Sequence, residues 1–264
     1  MTDARAALRR AAARLDPISL GEVLEVAELQ SRVDRKYLVS PAQFDDFIRS
    51  CGDRLRVLEI QGLRDFRYES VYFDTPDLAA YHQSATGRRN KFKVRTRTYV
   101  DSEACMLEVK TAGGRGETVK TRMPYPLDRR EVLDDDAGTF VADRVHPGVD
   151  AENLVPVLRT RYARMTLVDP TEGTRVTCDA RLVCTEPGGR TARMDTHVLI
   201  ETKSLGGATA ADRVLWSMGE RPVPISKYCV GLAMVRPQLP ANRWNRTLRR
   251  YFDWEPARTP LAAA

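Results

Sequence analysis

The chain has 264 residues, enough for one large domain or two small ones, and its 42% hydrophobic and 30% charged content is ordinary for a folded globular protein. A net charge of +6 favours an anionic partner without naming it. No run of about 18 apolar residues marks a membrane span; His82, His146 and His197 lie far apart and lack zinc-type spacing, and neither a histidine-rich metal site nor a Ser-His-Asp triad finds support in the sequence.

In chain order, residues 1 to about 29 read as helical, interrupted near Asp16-Pro17. The Ala4 to Arg14 stretch lacks the apolar core of a secretory signal and reads as a short amphipathic helix. Arg32 to Val39 reads as a strand with Arg32, Asp34 and Lys36 on one face. Ser40-Pro41 has the chemistry of a helix start, and Phe44, Phe47 and Ile48 give that helix an apolar stripe ending near Cys51-Gly52. Arg54 to Ile60 and Phe66 to Asp74 are strand candidates, followed by a turn at Thr75-Pro76-Asp77 and a short helix over Leu78 to Ser84.

The stretch from Lys91 to Met123 is the most informative. It places Lys91, Lys93, Arg95 and Arg97 on one strand face, Glu108 and Lys110 on a second, and Lys120 and Arg122 on a third. Gly113-Gly114-Arg115-Gly116 is turn chemistry between the last two strands. Solvated faces usually mix both signs of charge, but here Glu108 is the only carboxylate. Same-face neighbours about 6.8 Å apart repel by roughly 2 kcal/mol at an effective dielectric near 20. Such a face is arranged for an anion.

Further on, the acidic run Asp134-Asp135-Asp136 reads as a solvated loop and Phe140 to Val145 as a short helix. Leu154 to Val168, Thr174 to Leu182 and Asp195 to Lys203 are strands; the second carries Arg175 and Asp179 on one face, and the third carries Glu201 and Lys203. Ala210 to Gly219 reads as a helix and Pro222 to Tyr228 as extended chain. Residues 237 to 254 read as a basic terminal helix with Trp244, Leu248, Tyr251 and Phe252 on its apolar side. The expected fold class is α+β: a closed antiparallel barrel of about eight strands with flanking helices, because closure removes sheet edges and gathers the charged faces. The expected division is a helical segment over 1–29, the barrel domain over 30–235, and a basic helix with a disordered tail over 236–264. Five cysteines, an odd number without a C-x-x-C pair, fit a reducing cytoplasm.

Taken together, the ordered motifs Arg32-Val33-Asp34-Arg35-Lys36-Tyr37, Tyr72-Phe73-Asp74-Thr75, Lys93-Val94-Arg95-Thr96-Arg97, Glu108-Val109-Lys110, Arg159-Thr160-Arg161-Tyr162-Ala163-Arg164, Glu201-Thr202-Lys203 and Ser226-Lys227-Tyr228 make the chain similar to a known family. It resembles the polyphosphate polymerase domain of the vacuolar transporter chaperone (VTC) family, within the triphosphate tunnel metalloenzymes related to CYTH domains. The resemblance covers roughly residues 30 to 235. It implies a tunnel that binds ATP and a growing inorganic polyphosphate chain, with Mn²⁺ or Mg²⁺ as cofactor. It also implies that Lys36, Arg95, Arg97, Lys110, Arg164, Arg175, Lys203 and Lys227 contact phosphate, that Arg88 is a further phosphate ligand, and that Glu201 binds the metal. The strand faces themselves add Arg32, Lys93, Lys120 and Arg122 as phosphate-binding candidates.

Two departures stand out. CYTH hydrolases begin Glu-x-Glu-x-Lys, whereas this chain has Arg32-x-Asp34-x-Lys36, which favours the polymerase branch. Pro224-Ile225 stand where the polymerases often carry another lysine. The expected activity is ATP-dependent polyphosphate synthesis. The alternatives are a tunnel triphosphatase and a non-catalytic polyphosphate-binding module. Nucleic acid is not an expected partner, because the central strand faces show Thr, Val and Leu, with Tyr99 at one end, in place of aromatics interleaved with the basic residues. With no span of its own, the chain would need a membrane partner to move its product across a bilayer.

Overall fold

The computed structural model describes residues 3–27, 33–112 and 118–257. In chain order the elements are α1 (Ala4–Arg14), β1 (Pro17–Ile18), α2 (Leu20–Ala27), β2 (Val33–Val39), α3 (Pro41–Cys51), β3 (Arg56–Leu58) and β4 (Phe66–Asp74). Next come α4 (Ala79–Ala85), β5 (Phe92–Tyr99), β6 (Ala104–Ala112), β7 (Thr118–Pro124) and α5 (Asp135–Ala142). The chain continues with β8 (Val155–Asp169), β9 (Thr174–Thr185), β10 (Thr191–Met194), β11 (Val198–Ser204), α6 (Ala210–Ser217), α7 (Lys227–Val235) and α8 (Asn245–Tyr251).

The main sheet runs β2-β11-β9-β8-β4-β5-β6-β7, with β1, β3 and β10 attached beside it. Its eight-strand path matches the expected strand number, and the α+β class holds. Closure does not: among the described residues the path is open, with β2 at one end and β7 at the other. Period-two charge alternation tells which residues share a face. It carries no information on whether the first strand bonds to the last.

The chain folds as two compact units. One comprises Met1–Tyr68, Arg161–Leu182 and Met194–Val223; the other comprises Glu69–Thr160, Val183–Arg193 and Pro224–Ala264. Strands β4, β8 and β9 each contribute residues to both.

In the first unit, α1, α3 and α6 cover one face of the sheet. Leu8, Phe44, Phe47 and Leu215 pack there against Tyr37, Met165, Val176, Cys178 and Ile200. Ser40 closes a capping box with Gln43, and Pro41 occupies the first turn of α3, as its sequence predicts. Behind the strands, Asp212 is fully buried and accepts hydrogen bonds from Tyr37 Oη at 2.7 Å and Thr202 Oγ1 at 2.7 Å. These contacts tie α6 to β2 and β11. The opposite face of the same strands is left for charge.

In the second unit, Phe92, Val94, Leu107 and Val109 are buried on one side of β5 and β6. Helix α7 is apolar around its circumference and correspondingly buried. A Cβ on Gly231 would stand 2.7 Å from Cys184 Sγ and 3.0 Å from Leu158 Cδ2, so only glycine admits this approach.

Three expectations need correction. Asp134 is the N-cap of α5, accepting from Ala137 N at 3.0 Å, and Asp135 and Asp136 form its first turn. The acidic run thus complements a helix dipole and is not a loop. The extended segment after Pro222 ends at Ser226, whose hydroxyl caps α7, so Lys227 and Tyr228 are helical. The terminal helix over 237–254 is only a 3₁₀ turn at Asn242–Trp244 followed by α8, because Pro237 and Pro240 cannot sit inside a helix. The Gly113-Gly114-Arg115-Gly116 turn and Arg32 lie outside the described residues.

Candidate functional site

Each unit carries a cluster of charge on one strand face. In the second unit, β5, β6 and β7 pair so that Lys93, Lys110 and Lys120 stand abreast on three adjacent strands. The next rung is Arg95, Glu108 and Arg122. Like charges directly opposite each other destabilise a sheet, so a carboxylate beside this row is stabilising.

Glu108 supplies part of it. Its side chain is fully buried, and three cations converge on it. Arg95 donates from Nε at 2.8 Å and Nη2 at 2.6 Å to Oε2, Lys120 Nζ lies 2.5 Å from Oε1, and Arg97 Nη1 lies 3.7 Å from Oε1. Burial opposes the Glu108 charge, yet Arg95, Arg97 and Lys120 hold its carboxyl well below the usual range. Burial pulls Lys120 down to about 8, although Glu108 works against that shift. Arg95 Nη1 also donates to Tyr72 Oη at 3.0 Å.

Tyr72 stacks on Tyr228 at 5.2 Å, and Tyr228 Oη donates to the buried Asp74. Asp74 further accepts from the backbone of Thr75, Ala80 and Tyr81, which fixes the start of α4. Its role is therefore structural. Arg88 is exposed in the turn between α4 and β5, and Arg122 is exposed on β7. Lys227 is half-buried in the first turn of α7; burial pushes the nearby Cys184 thiol up to about 12, and the Lys227 charge pulls it the other way.

In the first unit the registers place Lys36 opposite Glu201 and Lys203 opposite Asp34 and Arg175. Glu201 lies between two lysines, with Oε1 3.1 Å from Lys36 Nζ and Oε2 2.8 Å from Lys203 Nζ. Lys203 also donates to Thr177 Oγ1 at 3.0 Å. Burial brings its pKa to about 8; Glu201 and Asp34 oppose that shift, and Arg164 adds to it. Arg164 forks onto Asp179, with Nε 2.6 Å from Oδ1 and Nη2 2.8 Å from Oδ2. Its guanidinium also lies 5.2 Å from the Tyr68 ring and 5.3 Å from the Tyr162 ring. Burial disfavours the Arg164 charge, but Asp179 keeps the proton bound more tightly than usual.

Contacts therefore unite Lys36, Glu201 and Lys203 in one unit, and Arg95, Arg97 and Lys120 in the other. Sequence reasoning did not give Glu108 or Tyr72 a site role; for Asp179 it offered metal binding or the balancing of adjacent cations, and the structure pairs it with Arg164. Glu108 could have been found as the lone carboxylate on a basic face. Tyr72 had no comparable signal, since its Arg95 partner depends on strand placement.

No group of three or more His, Cys, Asp or Glu side chains converges for a metal among the described residues. One carboxylate held by two lysines does not make a metal site on its own. It fits a divalent ion that takes most of its ligands from phosphate oxygens and water. No helix among the described residues is long and apolar enough to cross a membrane.

The family model for the VTC domain matches residues 31–236. The chain belongs to the VTC domain family. Solved structures similar to this VTC domain include an adenylyl cyclase candidate from Hippeastrum, HpAC1, described as having a dominant triphosphatase activity. It is 17% identical, covers 81% of this chain and 99% of its own, and has a TM-score of 0.48. An adenylate cyclase candidate from Vibrio parahaemolyticus is 13% identical over 72% of this chain and 87% of its own, with a TM-score of 0.40. The Pct1 RNA triphosphatase of S. pombe is 11% identical over 84% and 77%, with a TM-score of 0.25. No curated protein matches the chain.

Proposed function

We propose that this VTC domain is a polyphosphate polymerase that moves the terminal phosphoryl group of ATP onto the end of an inorganic polyphosphate chain. The observation that carries the reading is the row Lys93-Lys110-Lys120 on three paired strands, flanked by Arg95 and Arg97 around the buried Glu108. That excess of positive charge suits a polyanion more than a neutral or cationic ligand.

In the reaction, a terminal phosphate oxygen of the polymer attacks the γ-phosphorus of ATP. A new P–O bond forms as the bond to the β–γ bridging oxygen breaks, and ADP leaves with the electron pair. The nucleophile is already an anion, so no side chain needs to remove a proton, which suits a chain with three histidines. The protein's task is to position phosphates and neutralise charge. In the second unit Arg95 and Arg97 would meet phosphate oxygens as planar forks and Lys93, Lys110, Lys120 and Lys227 as point charges; in the first unit Arg164 and Arg175 would act as forks and Lys36 and Lys203 as point charges. Arg88 and Arg122 meet phosphate nearer solvent. Glu201 would hold Mn²⁺ or Mg²⁺ carried by the triphosphate, and that ion would offset charge on the transferring group.

The test is incubation with ATP and Mn²⁺ or Mg²⁺, followed by separation of polyphosphate from orthophosphate. The expected products are ADP and a ladder of polymers that an exopolyphosphatase degrades. Orthophosphate as the sole phosphate product would move the assignment to a triphosphatase. Absence of turnover with intact tripolyphosphate binding would leave a polyphosphate-binding module.

A further inference from the structure

The second unit has strong positive charge outside the cluster around Glu108. The turn between α4 and β5 carries Arg88, Arg89 and Lys91, all exposed. Near it, Arg243 comes so close that a Cβ on Gly87 would stand 3.2 Å from its Nη1. Along α8, Arg246, Arg249 and Arg250 are exposed, while Trp244, Thr247 and Leu248 are buried. Among the described residues, none of these seven cations pairs with a carboxylate.

From the turn, the same charge continues into the strand. Lys91 is exposed, Lys93 is half-buried, and Arg95 and Arg97 are only 11% exposed. The steps are about 6.8 Å each. Positive charge thus runs from open surface to the buried Glu108 cluster along one element. Phe92, the aromatic residue within Lys91 to Arg97, is buried on the opposite face of the strand, so nucleic-acid bases would find no stacking platform beside these cations.

We propose that the exposed cations of the α4–β5 turn and α8 are a docking surface for a linear phosphate polymer, which they lead onto the β5 row. A short ligand such as tripolyphosphate would use the buried cluster alone. A long chain would touch both and hold more tightly through the second contact. This inference rests on the polyphosphate reading above, but its test has a separate readout.

The test compares the wild-type protein with the triple variant Arg246→Gln/Arg249→Gln/Arg250→Gln. All three positions are exposed, and an unchanged melting temperature verifies the fold. Dissociation constants are measured for long-chain polyphosphate and for tripolyphosphate over a salt series. The long-chain constant should rise tenfold or more and its salt dependence should flatten, with tripolyphosphate changing less than twofold. An unchanged long-chain constant, or equal losses for both ligands, would overturn the docking surface. Single-stranded DNA or phosphatidylserine vesicles losing affinity by the same factor as the polymer would overturn the choice of ligand. A wild-type protein that ignores tripolyphosphate but loses long-chain affinity in the variant would support the docking surface and sink the catalytic reading.

Discussion

Glu108 and Glu201 are both carboxylates among cations, but their surroundings assign them different work. Glu108 is fully buried, and Arg95, Arg97 and Lys120 depend on it for charge balance. Glu108→Gln should therefore cost about 3–5 kcal/mol, because it removes the buried negative charge that these cations share. Tripolyphosphate should restore part of the lost melting temperature by supplying the missing charge. A Glu108→Gln protein with wild-type stability would show that the cations relax into solvent. Glu201 is more accessible and lies against Lys36 and Lys203. Glu201→Gln should fold and still bind tripolyphosphate without metal, while metal-dependent turnover should fall by about 10²–10³-fold through lost charge stabilisation. If stability drops and turnover per folded molecule survives, Glu201 only spaces the lysines. The placement of Glu201 beside Lys203 on one strand face was readable in the sequence, and Glu108 through its isolation on a basic face. Tyr72 was not, because a tyrosine at a strand end has the same sequence appearance whether or not an arginine reaches it.

At the level of elements, packing constrains α7 most tightly. Gly231→Ala would drive a methyl group toward Cys184 Sγ. The expected loss is about 1–3 kcal/mol, and Cys184→Ala should recover much of it in a double-mutant cycle because the clash is specific. Additive losses would mean that the helix shifts as a body. The sequence expectation for this region was poorer than elsewhere. Pro222 and Pro224 suggested extended chain, and that expectation ran past Ser226, which caps the helix instead. The amphipathic elements were readable with far less error. Strand β4 spans the expected Phe66 to Asp74, and β5 alternates buried and half-buried residues as its charge pattern predicts. The difference is physical: period two and helical stripes report one exposed and one buried face, whereas α7 is buried all round and has no stripe to detect. Sheet closure was unreadable for a related reason, since it depends on pairing between strands far apart in the chain.

Across the whole molecule, a net charge of +6 understates the local excess, because cations concentrate on particular strand faces. This has opposite consequences for folding and for binding as pH changes. Lys120 and Lys203, one in each unit, are held at about 8 by burial, against an ordinary value of 10.5. Between those values the unfolded chain retains protons that the folded chain has released. Stability from these two groups should therefore rise as pH increases from about 8 to 10.5, and their burial cost is fully present below 8. Anion binding goes the other way, because only the protonated ammonium attracts phosphate. Tripolyphosphate affinity should be flat up to about pH 7.5 and then fall, by up to about tenfold per lysine for each pH unit above 8. Binding near pH 8 should also take up protons, which calorimetry in buffers of different ionisation heat detects directly. Lys120→Arg and Lys203→Arg would move that fall to higher pH by keeping the charge, even where they weaken binding at pH 7. Affinity that stays constant from pH 7 to 9.5, with no proton uptake, would show that phosphate does not meet these lysines.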